Sequence, residues 1–288
     1  MKRNIYLKTI PPAEAVARVK ASIDREALIR EETIPSHEAS GRVLAHAVHA
    51  RYSSPTFHSA AMDGYAVNAR STFAAREGHP LTLKAGETCF AVNTGHPMPE
   101  GCDAVIMIEQ VVLDGGSVTI EAPAFPWQHV RRIGEDIVAT ELLFPRNHQL
   151  RPWDVGALLS GGIWDVPVWE RVTVRIIPTG DEVLDFTTHP DPGKGQVVES
   201  NSQMLAALAR ELGCVVERAA PVPDNPEALH QALKDSLDAG RHLTIFCAGS
   251  SAGSKDFTRA TLEKEGEILT HGIAAMPGKP SLLANCRG

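Results

Sequence analysis

The sequence predicts a multidomain α/β protein: an N-terminal helix with a mixed segment, a β-rich insert, and an α/β domain built on a parallel sheet. Three observations carry this. Apolar residues recur at helical spacing from Pro11 to about Arg30, short apolar runs broken by glycine and proline fill residues 50–136, and strands alternate with helices beyond Glu170. The expected boundaries are 1–49 with 137–170 for a helical and mixed linking domain, 50–136 for the insert, and 171–288 for the α/β domain. A chain of 288 residues can bury a core in each.

Pro11-Pro12 opens the first helix, with Val16, Val19, Ile23 and Ala27 on one face. In the insert, Leu81-Thr82-Leu83, Ala104 to Ile108 and Val118-Thr119-Ile120 read as strands. Leu142 to Val168 returns to mixed structure, with Asp154 as N-cap before Val155 to Leu159. Val172 to Ile177 is a near-continuous apolar strand. Ser200-Asn201 caps a helix carrying Met204, Leu205, Leu208 and Leu212, ended by Gly213. Cys214 to Val216 and Leu243 to Cys247 read as strands, and Pro226 to Leu237 and Asp256 to Glu265 as helices. Such alternation implies right-handed crossovers and a parallel sheet, whose ligands sit beyond the carboxyl ends of the strands. Thr179 to Glu182, Pro223 to Asn225 and Gly249 to Asp256 are expected to converge there.

Hydrophobic content of 43% and charged content of 22% are ordinary for a globular protein. A formal charge of −7 argues against non-specific nucleic-acid binding, which needs a basic face. The five cysteines form no C-x-x-C pair, so neither a disulfide framework nor a zinc site is expected, and a reduced cytoplasm fits. No apolar targeting segment follows Met1-Lys2-Arg3-Asn4, and no apolar run approaches the ~20 residues of a membrane span. The twelve histidines lack H-x-x-x-H or H-E-x-x-H spacing. No G-x-S-x-G elbow supports a hydrolase triad. Trp127, Trp153, Trp164 and Trp169 are expected to pack.

Two stretches carry chemistry. His58-Ser59-Ala60-Ala61-Met62-Asp63-Gly64-Tyr65-Ala66-Val67 sets one carboxylate between a small-residue run and a glycine, which lets a ligand approach and frees the turn for a positive φ. Ala248-Gly249-Ser250-Ser251-Ala252-Gly253-Ser254-Lys255-Asp256 lies between a buried strand and a helix. Its backbone N–H groups and hydroxyls suit an anion, while Asp256 calls for a divalent cation or a proton transfer. Asp181, Glu182 and Asp224 at strand ends, with Glu135-Asp136 after Arg131-Arg132-Ile133-Gly134, suggest ligation of a hard cation such as Mg²⁺. In Met276-Pro277-Gly278-Lys279-Pro280, a stiff turn holds Lys279 as an oxyanion partner.

These segments resemble, in order, those of the molybdopterin molybdenumtransferase family, the bacterial MoeA and gephyrin E-domain type. Ser59 to Val67 resembles SAMDGYAV, with Ala60 at the motif's serine. Asn93-Thr94-Gly95-His96-Pro97-Met98-Pro99 to Val105 resembles TGxPxPxGADAVV, and Arg131 to Asp136 resembles RxxGEDI. Thr179 to Val183 resembles TGDEL, and Gly195 to Asn201 resembles GQIxDSN. Gly249 to Asp256 matches GGxSxGxxD with Ala248 at the first glycine, and Met276 to Pro280 matches KPGKP with Met276 in place of a basic residue.

The resemblance implies transfer of molybdenum from molybdate to adenylylated molybdopterin, releasing AMP, in a Mg²⁺-dependent step of molybdenum cofactor synthesis. It implies a MogA-like α/β domain. Asp63, Thr94, Asp136, Glu182 and Asp256 are then the catalytic residues. Asp224, Gly249, Ser250, Ser251, Gly253, Lys279 and Pro280 bind the ligand, and Glu182, Asp224 and Asp256 hold the metal. It further implies a cytoplasmic homodimer, supplied by an upstream molybdopterin adenylyltransferase and acting on small molecules alone. Molybdate and tungstate share charge and shape and are not told apart. Family members continue into a GLPG-type loop and a C-terminal β-barrel. The sequence ends at Gly288, so the α/β domain is expected to be incomplete, the barrel absent and activity impaired. A hydrolase of the CinA type and a non-catalytic scaffold on the gephyrin precedent are the alternatives, and neither the hydrolase chemistry nor its module needs Phe57 to Asp136.

Overall fold

A computed structural model describes residues 8–24, 28, 30–247 and 257–287. By internal contacts the chain divides into two units, Thr33–Val168 and Met1–Glu32 with Trp169–Gly288.

In Thr33–Val168, the segments before and after the insert pair with each other. β1 (Glu31–Pro35) pairs with β12 (Asp165–Trp169), and β2 (Val48–His49) runs antiparallel to β11 (Leu142–Phe144). Leu44, Val48, Leu150, Leu158, Val166 and Val168 close one core there against α2 (Pro152–Ser160). Asp154 is not the N-cap of α2. Arg151 holds that place because Pro152 starts the helix, and the Asp154 carboxylate reaches back to accept from Arg151 N at 2.9 Å. His148 Nε2 lies 2.7 Å from the same carboxylate oxygen, Oδ2, of this buried group.

The insert is built from short antiparallel pairings. β3 (Ser59–Ala60) pairs with β10 (Val130–Arg131). β4 (Gly64–Val67) lies between β6 (Cys89–Val92) and β7 (Ala104–Met107). β9 (Ser117–Ile120) lies between β5 (Leu81–Lys84) and β8 (Val112–Asp114). Successive strand residues face opposite ways. Val67, Cys89, Ala104 and Ile106 therefore join Leu83, Val118 and Ile120 in one core, while Ala66, Val92 and Val105 join Ala60 and Val130 in another. Both faces of β4 and β7 are buried, which is why Ala104 to Met107 reads as a continuous apolar run. Full burial of Val67, Val118 and Ile120 contributes roughly 2 kcal/mol each.

In the other unit, β13 (Thr173–Pro178) is flanked in parallel by β16 (Val215–Arg218) and β17 (Leu243–Cys247). The parallel sheet read from the sequence is present. The helices α3 (Asn201–Glu211), α4 (Pro226–Asp238) and α5 (Phe257–Glu265) alternate with strands. A parallel two-residue pair, β14 (Val183–Leu184) with β15 (Val197–Val198), follows β13. β18 (Gly266–His271) and β19 (Leu282–Cys286) pair antiparallel after α5.

The structure revises or refines the reading of the first helix, of α3 and of the tryptophans. The first helix, α1, spans Pro12–Ser22, and Ile23 is already extended. By contacts α1 belongs with β18 and β19, whereas the sequence groups it with residues 137–170. Arg18 donates to Leu269 O at 2.8 Å, and Asn285 donates to Ser22 O at 2.6 Å. α3 presents Leu205, Ala206 and Ala209 to the sheet and leaves Met204, Leu208 and Leu212 exposed. Trp127, Trp153 and Trp164 do not pack in a core and stay exposed. Trp127 lies against His58 at 4.9 Å, and Arg151 sits 5.7 Å from the Trp153 ring. Among the described residues no helix is long and apolar enough to cross a membrane.

Candidate functional site

The unit Thr33–Val168 brings Asp63 and Thr94 together. Ala60 N donates to His96 O at 2.9 Å and Gly95 N to Ala60 O at 2.8 Å, which docks the Asn93–His96 turn beside β3. Thr94 N then donates to Asp63 Oδ1 at 2.6 Å, and Thr94 Oγ1 to the same oxygen at 3.0 Å. The Thr94 backbone N–H, its hydroxyl and nearby His96 hold the Asp63 carboxyl below the usual carboxylate range. Asp63 is exposed and ionised at neutral pH, with one oxygen committed to Thr94.

Gly64 has the positive φ expected of it, 158, and a second constraint adds to that need for glycine. It opens β4, and a Cβ there would overlap the backbone carbonyl of Ile106 on β7. That close approach sets where Asp63 leaves the sheet, and Ile108 N pins it further by donating to Asp63 O at 3.0 Å. Ser59, beside the motif's serine position, is buried in β3.

Asp136 lies beyond β10, after the turn that follows that strand. Its N–H donates to Ser54 O at 2.9 Å, and Arg131 Nη2 reaches both its carboxylate oxygens at 2.6 Å. Arg131 is on β10, opposite Ser59 of β3. No hydrogen bond joins Asp136 to Asp63 or Thr94; Arg131 is its partner. Sequence reasoning passed over Arg131 and also His58, whose Nδ1 accepts from Ile133 N at 3.1 Å. The signal for Arg131 was present, since it opens the same RxxGEDI segment that ends in Asp136.

In the α/β unit, two of the three expected loops meet at the carboxyl ends of β13 and β16. Thr179 N donates to Cys247 O at 3.0 Å, Gly180 N to Val222 O at 3.1 Å, and Asp224 N to Asp181 Oδ1 at 3.1 Å. Glu182 and Asp224 are both exposed there. Cys247 ends β17, its thiol pushed up to about 11 by burial and by the Glu199 carboxylate. The third loop, with Gly249, Ser250, Ser251, Gly253 and Asp256, lies outside the described residues. Among the described residues no three His, Cys, Asp or Glu side chains group to hold a metal ion.

Lys279 is exposed on the turn joining β18 to β19. Ile273 N donates to its carbonyl at 3.0 Å, and Ser281 N donates to Gly278 O at 2.9 Å. Gly278 has φ 105, a left-handed conformation that glycine adopts without strain. Pro280 follows, half-buried. The structure makes no hydrogen bond or ion pair between Lys279 and Glu182 or Asp224. Ser200-Asn201 supplies no side-chain cap to α3. Glu199 does so instead, accepting from Ser202 N at 2.7 Å.

With this geometry in view, the similarities to known proteins are extensive. The MoeA N-terminal region, domains I and II, matches residues 10–162, and a probable molybdopterin binding domain matches residues 175–288. The molybdopterin molybdenumtransferase of Synechococcus elongatus is 31% identical over 270 residues, covering 88% of this chain and 67% of the relative. That of Haemophilus influenzae is 33% identical over 269 residues, covering 86% and 64%. The crystal structure of the molybdopterin biosynthesis MoeA protein from Pyrococcus horikoshii matches with a TM-score of 0.78 at 28% identity, covering 97% of this chain and 73% of that one. The chain spans about two thirds of the length of these two curated relatives. On both matched domains and on these relatives, the chain belongs to the MoeA family.

Proposed function

We propose that this chain works in molybdenum cofactor biosynthesis as a transferase, inserting molybdate into adenylylated molybdopterin with release of AMP. The observation that carries the proposal is the pairing of Asp63 with Thr94 in an insert that a nucleotide hydrolase has no use for. Two segments far apart in the chain are folded onto one carboxylate, leaving its second oxygen to orient a reacting group or take its proton. Arg131 and Asp136 brace the neighbouring strand pair.

The exposed carboxylates at the strand ends would handle the phosphate side. Glu182 and Asp224 offer only hard oxygen donors, and Asp181 fixes the Asp224 backbone beside them, which suits Mg²⁺. Glu182, Asp224 and Asp256 would hold the ion, which when bound polarises the phosphoanhydride from which AMP leaves. Gly249, Ser250, Ser251 and Gly253 would receive the phosphates. Lys279 would offset charge on the oxyanion, with Pro280 shaping its turn. Residues 50–136 would act as a domain of their own, hung between 1–49 and 137–170, with 171–288 as the molybdopterin-binding domain. A cytoplasmic homodimer taking its substrate from an upstream adenylyltransferase completes the proposal.

AMP release from adenylylated molybdopterin, measured with and without molybdate and with excess chelator, tests it. The expected result is release that needs both molybdate and Mg²⁺. Equal release without molybdate would make the chain a hydrolase, and binding without release would make it a scaffold.

A further inference from the structure

Beneath the exposed carboxylates of the α/β unit lies a buried charged cluster. Arg218 closes β16, and its guanidinium sits 4.4 Å from the Phe186 ring centroid. Its Nε donates to Ser202 Oγ at 2.8 Å, and its Nη2 donates to Asp185 Oδ1 at 3.1 Å and Glu199 Oε2 at 3.4 Å. The Ser202 hydroxyl donates to Glu199 Oε2 at 2.5 Å. Glu199 and Ser202 are buried, and the Arg218 side chain is only 11% exposed.

The members come from separate elements. Asp185 follows β14, Glu199 follows β15, Ser202 lies in the first turn of α3, and Arg218 leads toward Asp224. A planar guanidinium can serve two carboxylates and a hydroxyl at once, which a point-charge ammonium does poorly. Buried charges tolerate few alternative arrangements, because an unpaired one is costly. The arrangement reaches the site through the backbone. Val197 N donates to Glu182 O at 3.0 Å, Glu199 N to Leu184 O at 2.9 Å, and Asp224 N to Asp181 Oδ1 at 3.1 Å.

We propose that Arg218 is a positioning residue that, by clamping Asp185 and Glu199, fixes the segments carrying Glu182 and Asp224 relative to each other. This deepens the proposed function and rests on its reading of those two carboxylates. No motif marks Arg218, and it touches neither of them directly.

Arg218→Met, Arg218→Lys and Glu199→Gln in the 288-residue chain test it. Amide hydrogen exchange at Gly180, Val197 and Asp224 is read beside kcat and KM for adenylylated molybdopterin. Arg218→Met is expected to speed exchange at those amides about 10-fold while leaving β4 and β6 unchanged. Its kcat is expected to fall about 100-fold, as for a small misplacement of reacting groups, with KM moving less than about 2-fold. Arg218→Lys should regain part of kcat, and Glu199→Gln should show the same pattern more weakly. Unchanged exchange at the three amides overturns the proposal whatever the activity does, and so does a raised KM at constant kcat. Faster exchange in a chain whose wild type releases no AMP upholds the clamp and removes transferase activity from the 288-residue chain instead. If Arg218→Met does not fold, the other two variants decide, and unaltered exchange in both is the contrary result.

Discussion

The two carboxylate-bearing regions hold their side chains in opposite ways. In Thr33–Val168, Asp63 and Asp136 are each gripped directly, by Thr94 and by Arg131. In the α/β unit, Glu182 and Asp224 project from segments that are held from below, by backbone hydrogen bonds and by the Arg218 cluster. Asp63 is tuned by Thr94, so losing that partner raises its proton affinity. Glu182, set on a braced segment, keeps its oxygens for a ligand, so losing the brace moves it. Chemistry on a proton fits the first arrangement, and capture of a cation or phosphate fits the second.

The largest effect should come from removing a charge at either region. Asp63→Asn and Glu182→Gln should each lower AMP release about 10³-fold with folding intact, measured as steady-state turnover beside circular dichroism. Next come the glycines. Gly64→Ala should cost about 3 kcal/mol in urea unfolding, because the backbone of Ile106 blocks the new Cβ. Gly180→Ala should cost about 1 kcal/mol, since the new Cβ meets the Val183 and Glu182 side chains, which can shift. Equal costs would mean that the two segments are equally braced.

Thr94→Val should be milder. It removes the hydroxyl but keeps the N–H donor, so turnover should fall about 10-fold. The Asp63 carboxyl, read by NMR titration, should rise toward its ordinary value. Arg218→Lys should leave that titration untouched.

The smallest effect concerns acid. Asp154 is pushed up by burial, but the Arg151 N–H and His148 more than offset this, so its net shift is downward. Asp185 is lowered chiefly by the Thr187 N–H, with Arg218 adding to it. A lowered folded-state value means stability present above the unfolded value, 3.8 for both groups, and lost as pH falls through the folded one. Urea midpoints should therefore hold down to about pH 4 and drop below it. Asp154→Asn should flatten that drop.

The motif residues were legible because each lies in a short string with its own local logic. The convergence of Thr179 to Glu182 with Pro223 to Asn225 was legible because a parallel sheet dictates where loops go. What the sequence hid was built through space. Arg218, Asp185 and Glu199 share no spacing rule, and Glu199 stood only as one residue of the Gly195 to Asn201 segment. The end of α1 and its place beside β19 depend on contacts such as Asn285 to Ser22, which no periodicity encodes. The positive φ of Gly64 was legible in the sequence, whereas the close approach of the Ile106 carbonyl was not.

Asp63 and Glu182 are proposed to serve one reaction, and a double-mutant cycle in molybdate-dependent AMP release tests this most directly. Wild type, Asp63→Asn, Glu182→Gln and the double variant are compared under one set of conditions. Groups that act as a unit lose their effect together. The double variant should therefore be about as slow as the slower single variant. Losses that multiply across the two positions would contradict the account and make the regions independent.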